Sequence, residues 1–221
     1  MPHYFRFLHI AFTVVCIMAL PLPGMAIGAK LLLLTLLYQV AVVMVAFVKK
    51  QQLWQQLCWF YIPFGWFNIF PDWFLSSQLK VLFYPNEGVF KIGTISGYMP
   101  FLWFMPMFII TCIAIETEKK YKQPVPLLVM LIAGMAVFGL SEHCFKLLGS
   151  WHAQEVKVLL GNAAVYVLLA EALLLAVAYV LFKAVQQLPV WVKILAAFCL
   201  MLFYMGSLVF FYFVIEYLPA T

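Results

Sequence analysis

The sequence predicts an all-α integral membrane protein, one polytopic domain built as a bundle of seven transmembrane helices. Three observations carry that prediction. Of the 221 residues, 67% are hydrophobic and only 10% charged, where soluble domains average about 45–50% and about 25%. The apolar residues gather in runs of about 20, the length a helix needs to cross about 30 Å of hydrocarbon. Lysines cluster in alternate connections between the runs, as the positive-inside rule requires.

A mean hydropathy of +1.05 with 18% aromatic residues means more apolar surface than one soluble core of this size hides, so lipid must solvate much of it. The same figures exclude a disordered chain, a coiled coil and a nucleic-acid binder.

The predicted spans are 8–27, 31–48, 53–73, 98–116, 125–142, 158–182 and 190–217. The first follows Arg6 and is followed by Pro21, Pro23, Gly24 and Ala26. It imitates a signal peptide but reads as a retained span, because equally apolar stretches follow it. Span three contains Pro63 and Gly65; span four begins Gly97-Tyr98-Met99-Pro100 and contains Pro106, so backbone carbonyls are freed within it, as in helices that line cavities. The long connection, 74–97, holds a short apolar patch, Val81-Leu82-Phe83-Tyr84, able to dip back into the interface. Strand-like alternation, internal repeats and low-complexity tracts are absent from the sequence.

Placing alternate connections on alternate sides puts Arg6, Lys49, Lys50, Lys119, Lys120, Lys122, Lys183 and Lys193 on one side and Lys30, Lys80, Lys91, Lys146 and Lys157 on the other. The compact clusters in short loops make the first side cytoplasmic. The N terminus is then inside, the C terminus outside, and the expected location is a bacterial cytoplasmic (inner) membrane. Asp72, Glu87, Glu142, Glu155 and Glu216 fall at the outer end, so polar chemistry gathers there. Cys16, Cys58, Cys112, Cys144 and Cys199 form no CxxC pair and are odd in number, which reads as packing rather than a disulfide frame.

Within span three, Tyr61, Gly65, Asn68 and Asp72 recur at helical spacing and form one stripe. Asp72, the sole aspartate, stands in the aromatic setting Phe70-Pro71-Asp72-Trp73, which favours a protonated, acid-capable carboxyl; the alternative role is an interfacial cap beside a belt tryptophan. Glu142 and His143 close span five, and His152 and Glu155 open span six, with Asn162 and Tyr166 following on the same helical face. Two imidazoles and two carboxylates so placed suit a carboxylate-oriented acid/base pair, or a divalent metal held by Glu142, His143, His152 and Glu155, or a hydrogen-bonded boundary.

Glu171 lies mid-span, where an ionised carboxylate costs at least about 2.5 kcal/mol, so it should be neutral, partnered or facing water. On a continuous helix it sits nearly opposite the Glu155, Asn162, Tyr166 stripe, and one pocket containing all four requires a kink. Glu216, one turn after Tyr212, either completes the outer cluster or ends the chain in solvent. The aromatic residues of spans three and four, Trp59, Phe60, Trp66, Phe67, Phe70, Trp73, Phe101, Trp103 and Phe104, form an expected wall suited to a flat or unsaturated lipid, although such stripes are more often core packing.

These features lead to an expected membrane enzyme acting on a lipid or isoprenoid by carboxylate/histidine acid–base chemistry, through isomerisation, hydration or cyclisation. Asp72, Glu142, His143, His152 and Glu155 are the expected catalytic groups. Tyr61, Trp66, Asn68, Trp73, Tyr98, Trp103, Asn162, Tyr166, Glu171, Tyr212 and Glu216 are the expected binding groups. In size and span count the chain resembles the small integral-membrane terpene and lycopene cyclases, a likeness of architecture alone. Their paired mid-chain glutamates match no position here, and no residue role follows from it. The alternatives are a small-solute or proton-coupled transporter and a non-catalytic lipid-binding or assembly subunit. The expected partners are membrane lipids and a lipophilic small molecule. P-loop, Rossmann, nucleophile-elbow and HExxH patterns are missing, so no nucleotide cofactor is expected, and the last span has no central lysine for a retinal Schiff base, Lys193 lying at its start.

Overall fold

The computed structural model describes residues 3–159 and 161–218; Leu160, within the predicted sixth span, lies outside the described residues. The chain is mostly helical. Its helices are α1 (His3–Ala19), α2 (Ile27–Val48), α3 (Gln52–Phe67), α4 (Ile69–Trp73), α5 (Met99–Glu118), α6 (Val125–Leu147), α7 (Val165–Val185) and α8 (Val190–Tyr212), the last continued by a wider turn over Phe213–Tyr217. Among the described residues, five helices are long and apolar enough to cross a membrane: α2, α5, α6, α7 and α8 with its extension. The chain is therefore a multi-pass membrane protein by the length and composition of its helices.

The two other predicted spans take different forms. α1 has 17 residues. The third is broken: α3 stops at Phe67, and α4 restarts at Ile69. Pro71 explains the break, because its ring meets the carbonyl four residues earlier, that of Phe67. Asn68 spans the joint, its amide nitrogen donating to the Phe64 carbonyl and its own carbonyl accepting from Asp72.

Helices α3, α5, α6, α7 and α8 close into a ring in which each packs on two neighbours, α3 meeting α5 and α8; α2 lies outside against α3 and α5, and α1 lies outside α2. The α3–α5 contact is tight because Gly65 has no side chain there: a Cβ on it would collide with the Pro100 carbonyl. Tyr61 and Thr111 bind the same two helices through a buried 2.7 Å hydroxyl pair. Deeper in the ring, Phe60 and Tyr61 pack on Phe182 at ring distances of 5.7 and 6.3 Å. The outward faces are apolar, with Phe7, Ile17, Ile132, Val180 and Phe210 all more than 60% exposed, as a hydrocarbon solvent allows.

The two ends of the bundle differ. At one end short turns join α2 to α3, α5 to α6 and α7 to α8, and Lys183 donates to Glu118 at 2.8 Å. At the other end, long connections form a cap with strands the sequence did not suggest. β1 (Leu82–Phe83) pairs antiparallel with β4 (His152–Ala153), β2 (Lys91–Ile92) with β3 (Ile95–Ser96), and β5 (Val158–Leu159) with β6 (Ala163–Ala164). The predicted sixth span is corrected accordingly. It starts at Val165, not residue 158, because β5 and β6 pair antiparallel, Gly161 stands at φ +80° and the Val165 amide donates to the Lys157 carbonyl at 3.0 Å. The fifth extends to Leu147.

Candidate active site

A cavity of about 250 Å³ opens inside the helical ring beneath the cap. Its floor and walls are apolar, with Met99, Leu102, Met105 and Ile109 from α5 and Val137, Phe138 and Phe145 from α6. Into this chamber project three carboxyls from three elements: Asp72 from α4, Glu142 from α6 and Glu171 from α7. Three tyrosines join them, Tyr84 from the cap, Tyr166 from α7 and Tyr204 from α8. Asp72 and Glu171 are each 4% exposed.

The helix breaks put these groups there. The restart after Pro71 delivers Asp72 to the ring's inner face. Pro106 lacks the N–H that would pair with the Leu102 carbonyl, and both residues line the cavity. Because α7 begins only at Val165, Glu155 and Asn162 lie outside the helix, while Tyr166 and Glu171, both within α7, line the cavity.

Each carboxyl has its own set of donors. Trp103 Nε1 donates to Asp72 Oδ2 at 2.9 Å, and the same indole packs edge-on to Tyr204 at 5.5 Å. Glu142 is held at both oxygens, by Trp151 Nε1 at 3.3 Å on Oε1 and by Asn162 Nδ2 at 3.4 Å on Oε2. Glu171 Oε2 and the Tyr84 hydroxyl are buried and meet no hydrogen-bond partner among the described residues. These groups lie within electrostatic reach of one another: Tyr84 of Asp72, Glu142 and Tyr204, and Glu171 of Glu142 and Asp72.

The cap is fastened over the cavity by a polar network. Tyr98 donates to Glu87 Oε1 at 2.9 Å and pairs with Ser150 at 2.5 Å, Ser96 also donates to Glu87, and Lys91 donates to Ser96 at 2.8 Å and to the Pro85 carbonyl at 2.7 Å. The Glu87 carbonyl accepts from Gly28 at the start of α2. Burial pushes the Tyr84 and Tyr98 hydroxyls well above the usual tyrosine value; Lys91 is drawn below the usual lysine value by burial, against the pull of Glu87.

Of the expected catalytic residues, Asp72 and Glu142 line the cavity and three do not. His152 belongs to β4 and packs on Phe83 at 5.3 Å, Glu155 is exposed in the following turn, and His143 lies outside the cavity wall. The reason is the β1–β4 pairing, which holds 152–155 in the cap instead of on the first turn of a helix. Among the described residues no three His, Cys, Asp or Glu side chains converge as a metal requires, so Glu142, His143, His152 and Glu155 are not assembled as a ligand set.

Of the expected binding residues, Trp103, Tyr166 and Glu171 line the cavity. Tyr61 is committed to Thr111, Asn68 is buried at the helix joint, and Tyr98 is bound in the cap network. Asn162 is a staple, its Oδ1 accepting from the Ala153 amide at 2.9 Å and its Nδ2 donating to the Glu142 carbonyl at 2.7 Å. Tyr212 packs edge-on to Tyr166 at 5.4 Å, and Glu216 accepts from the Lys157 amide at 3.0 Å, outside the cavity. The expected aromatic wall is corrected as well. Trp59, Trp66, Phe70 and Trp73 are 40–56% exposed on the outer surface, and Phe60 and Phe104 are core.

The sequence reading passed over Tyr84, Tyr204 and Trp151. Only Tyr84 left a signal, a hydroxyl closing an otherwise apolar tetrad.

Residues 69–215 match the model of a family described as a domain of unknown function, DUF6989. The chain belongs to this family. No curated protein and no solved structure matches it. The DUF6989 segment opens at the first residue of α4 and contains every residue that lines the cavity, from Asp72 to Tyr204, whereas α1, α2 and α3 precede it.

Proposed function

We propose that this DUF6989 protein is a membrane enzyme that moves protons on a lipid or isoprenoid held in the cavity, by isomerisation, hydration or cyclisation. The observation that carries the reading is the convergence of Asp72, Glu142 and Glu171 on one apolar, aromatic chamber. Carboxyls gathered in one apolar site are the arrangement that proton transfer to and from a lipid requires.

The hydrogen bonds divide the roles. Glu142, with a donor on each oxygen, suits the proton acceptor. Asp72 accepts the Trp103 N–H through Oδ2, which leaves Oδ1 to carry a proton and deliver it to an alkene carbon. The C=C π pair forms the new C–H bond, and the cation passes to the neighbouring carbon. Removal of an adjacent proton by Glu142 returns that C–H pair to a shifted double bond, the net isomerisation; attack by water or a second alkene gives hydration or cyclisation once Glu142 takes the proton from the resulting oxonium or from a carbon next to the new cation. The faces of Trp103 and Tyr204 suit the cationic intermediate. The imidazoles lie outside the cavity and take no part in this chemistry.

In the bilayer the chain crosses seven times, α1 and the broken α3–α4 unit adding two crossings to the five long helices. At about 1.5 Å per residue α1 spans roughly 26 Å, near the lower limit for a crossing. The lysine-rich end faces the cytoplasm and the capped end faces outward, in a bacterial cytoplasmic membrane. Mass spectrometry of lipid extracts from expressing cells tests the function. Wild type is expected to shift at least one lipid species, and Asp72→Asn and Glu142→Gln to abolish that shift at equal protein level; identical profiles in all three contradict it.

A further inference from the structure

The cavity is closed toward water and open toward lipid. Over its aqueous end lies the cap, with Val81, Tyr84 and Trp151 each no more than 7% exposed and fastened through Tyr98, Glu87 and Ser150. Its side wall between α5 and α6 is different. The α5 residues that line it, Leu102, Met105, Pro106 and Ile109, recur at helical spacing and are only half-buried, and Val137 opposite them on α6 is 38% exposed. A sealed α5–α6 contact would bury that stripe. From Met99 to Ile109 the cavity follows eleven residues of α5, about 15 Å of helix, or roughly half the hydrocarbon thickness. It therefore occupies one leaflet, with its apolar opening at mid-depth and, at the cap, the Tyr84 hydroxyl, which has no partner among the described residues.

An amphipath in that leaflet has the same arrangement, its polar group near the interface and its chain deeper. Resting on the lipid reading above, we infer that the substrate is an amphipathic lipid with a hydroxyl or carbonyl oxygen, entering sideways between α5 and α6 and seating that oxygen against Tyr84. The tail trails through the gap past Met105 and Val137.

The full chain in phosphatidylcholine proteoliposomes, photolabelled with a diazirine-bearing isoprenoid alcohol, tests this. Saturable labelling is expected in α5 and α6 peptides. Val137→Trp and Met105→Trp, which block the gap from opposite sides, should each cut it at least fivefold, whereas Ile132→Trp, on the outward face of α6, leaves it unchanged. Tyr84→Phe should weaken the alcohol about five- to tenfold, the effect of one hydrogen bond, and leave the matching hydrocarbon probe unaffected. Full labelling in both blocking variants, or equal loss of both probes in Tyr84→Phe, overturns the inference. Labelling needs no turnover, so Asp72→Asn should retain it. Labelling that follows this pattern with no lipid conversion by wild type supports the entry path and removes the acid–base reading alone.

Discussion

At the level of single residues the decisive feature is which polar atoms were left without partners. Glu171 Oε2 and the Tyr84 hydroxyl are buried in the cavity wall with none among the described residues, although a buried polar atom left unpaired costs about 1–3 kcal/mol. Such cost is tolerated where a ligand completes the site. Tyr84 and Tyr98 also give the cap a pH signature. Both are held above the ordinary tyrosine value by burial, so above about pH 10 the unfolded chain releases protons that the folded chain keeps, and stability falls as pH rises. Lys91, lowered in the folded state, works in the opposite sense and offsets part of the loss. Thermal unfolding in detergent should show a melting temperature that drops between pH 9 and 11, with a smaller drop in Tyr98→Phe; an equal drop in that variant would contradict the assignment. Asp72 and Glu142 were legible in the sequence because carboxyls in apolar surroundings stand out. Tyr204 was not, since a tyrosine among apolar residues reads the same in a core as at a cavity wall, and Tyr84 showed only as the polar end of an apolar patch.

At the level of elements, most helix boundaries followed from the apolar runs, and the misplacements have identifiable physical causes. Pro71 splits the third span, and the fold-back around Gly161 delays α7. A two-residue strand such as β4 has no periodicity to detect, and its pairing to β1 across 70 residues is a tertiary event. His152 and Glu155 therefore belong to the cap and do not lead into the sixth span as the sequence implied. The small residues at helix contacts make a graded prediction. Gly65→Ala places its Cβ against the rigid Pro100 carbonyl, whereas Gly134→Ala meets only the end of the Leu175 side chain. The first should cost about 1–3 kcal/mol of stability or more and the second less, because a side chain can rotate away. Denaturation of the purified variants measures both, and a larger loss in Gly134→Ala would refute the close α3–α5 approach.

At the level of the whole molecule, the described residues form a ring of five helices, with α1 and α2 outside it and the short α4 continuing α3, basic at one end and capped at the other. The composition announced the membrane, and the lysine clusters announced two unlike ends. The ring itself was hidden, because outward and inward faces of a helix are equally apolar when lipid is the solvent. For the same reason Trp66 and Trp73 looked like a binding wall and lie on the outer surface. What the ring and the short α4 achieve is to bring carboxyls from α4, α6 and α7 into one apolar chamber. Proton delivery from such a chamber to carbon can be read directly with heavy water. Membranes carrying the protein, incubated with their native lipids in D2O, should yield a lipid with deuterium bound at carbon. Asp72→Asn should abolish that label, and Glu155→Gln, altered outside the cavity, should retain it. Lipids free of carbon-bound deuterium in the wild type, or labelled equally in Asp72→Asn, would contradict acid–base catalysis by this cavity.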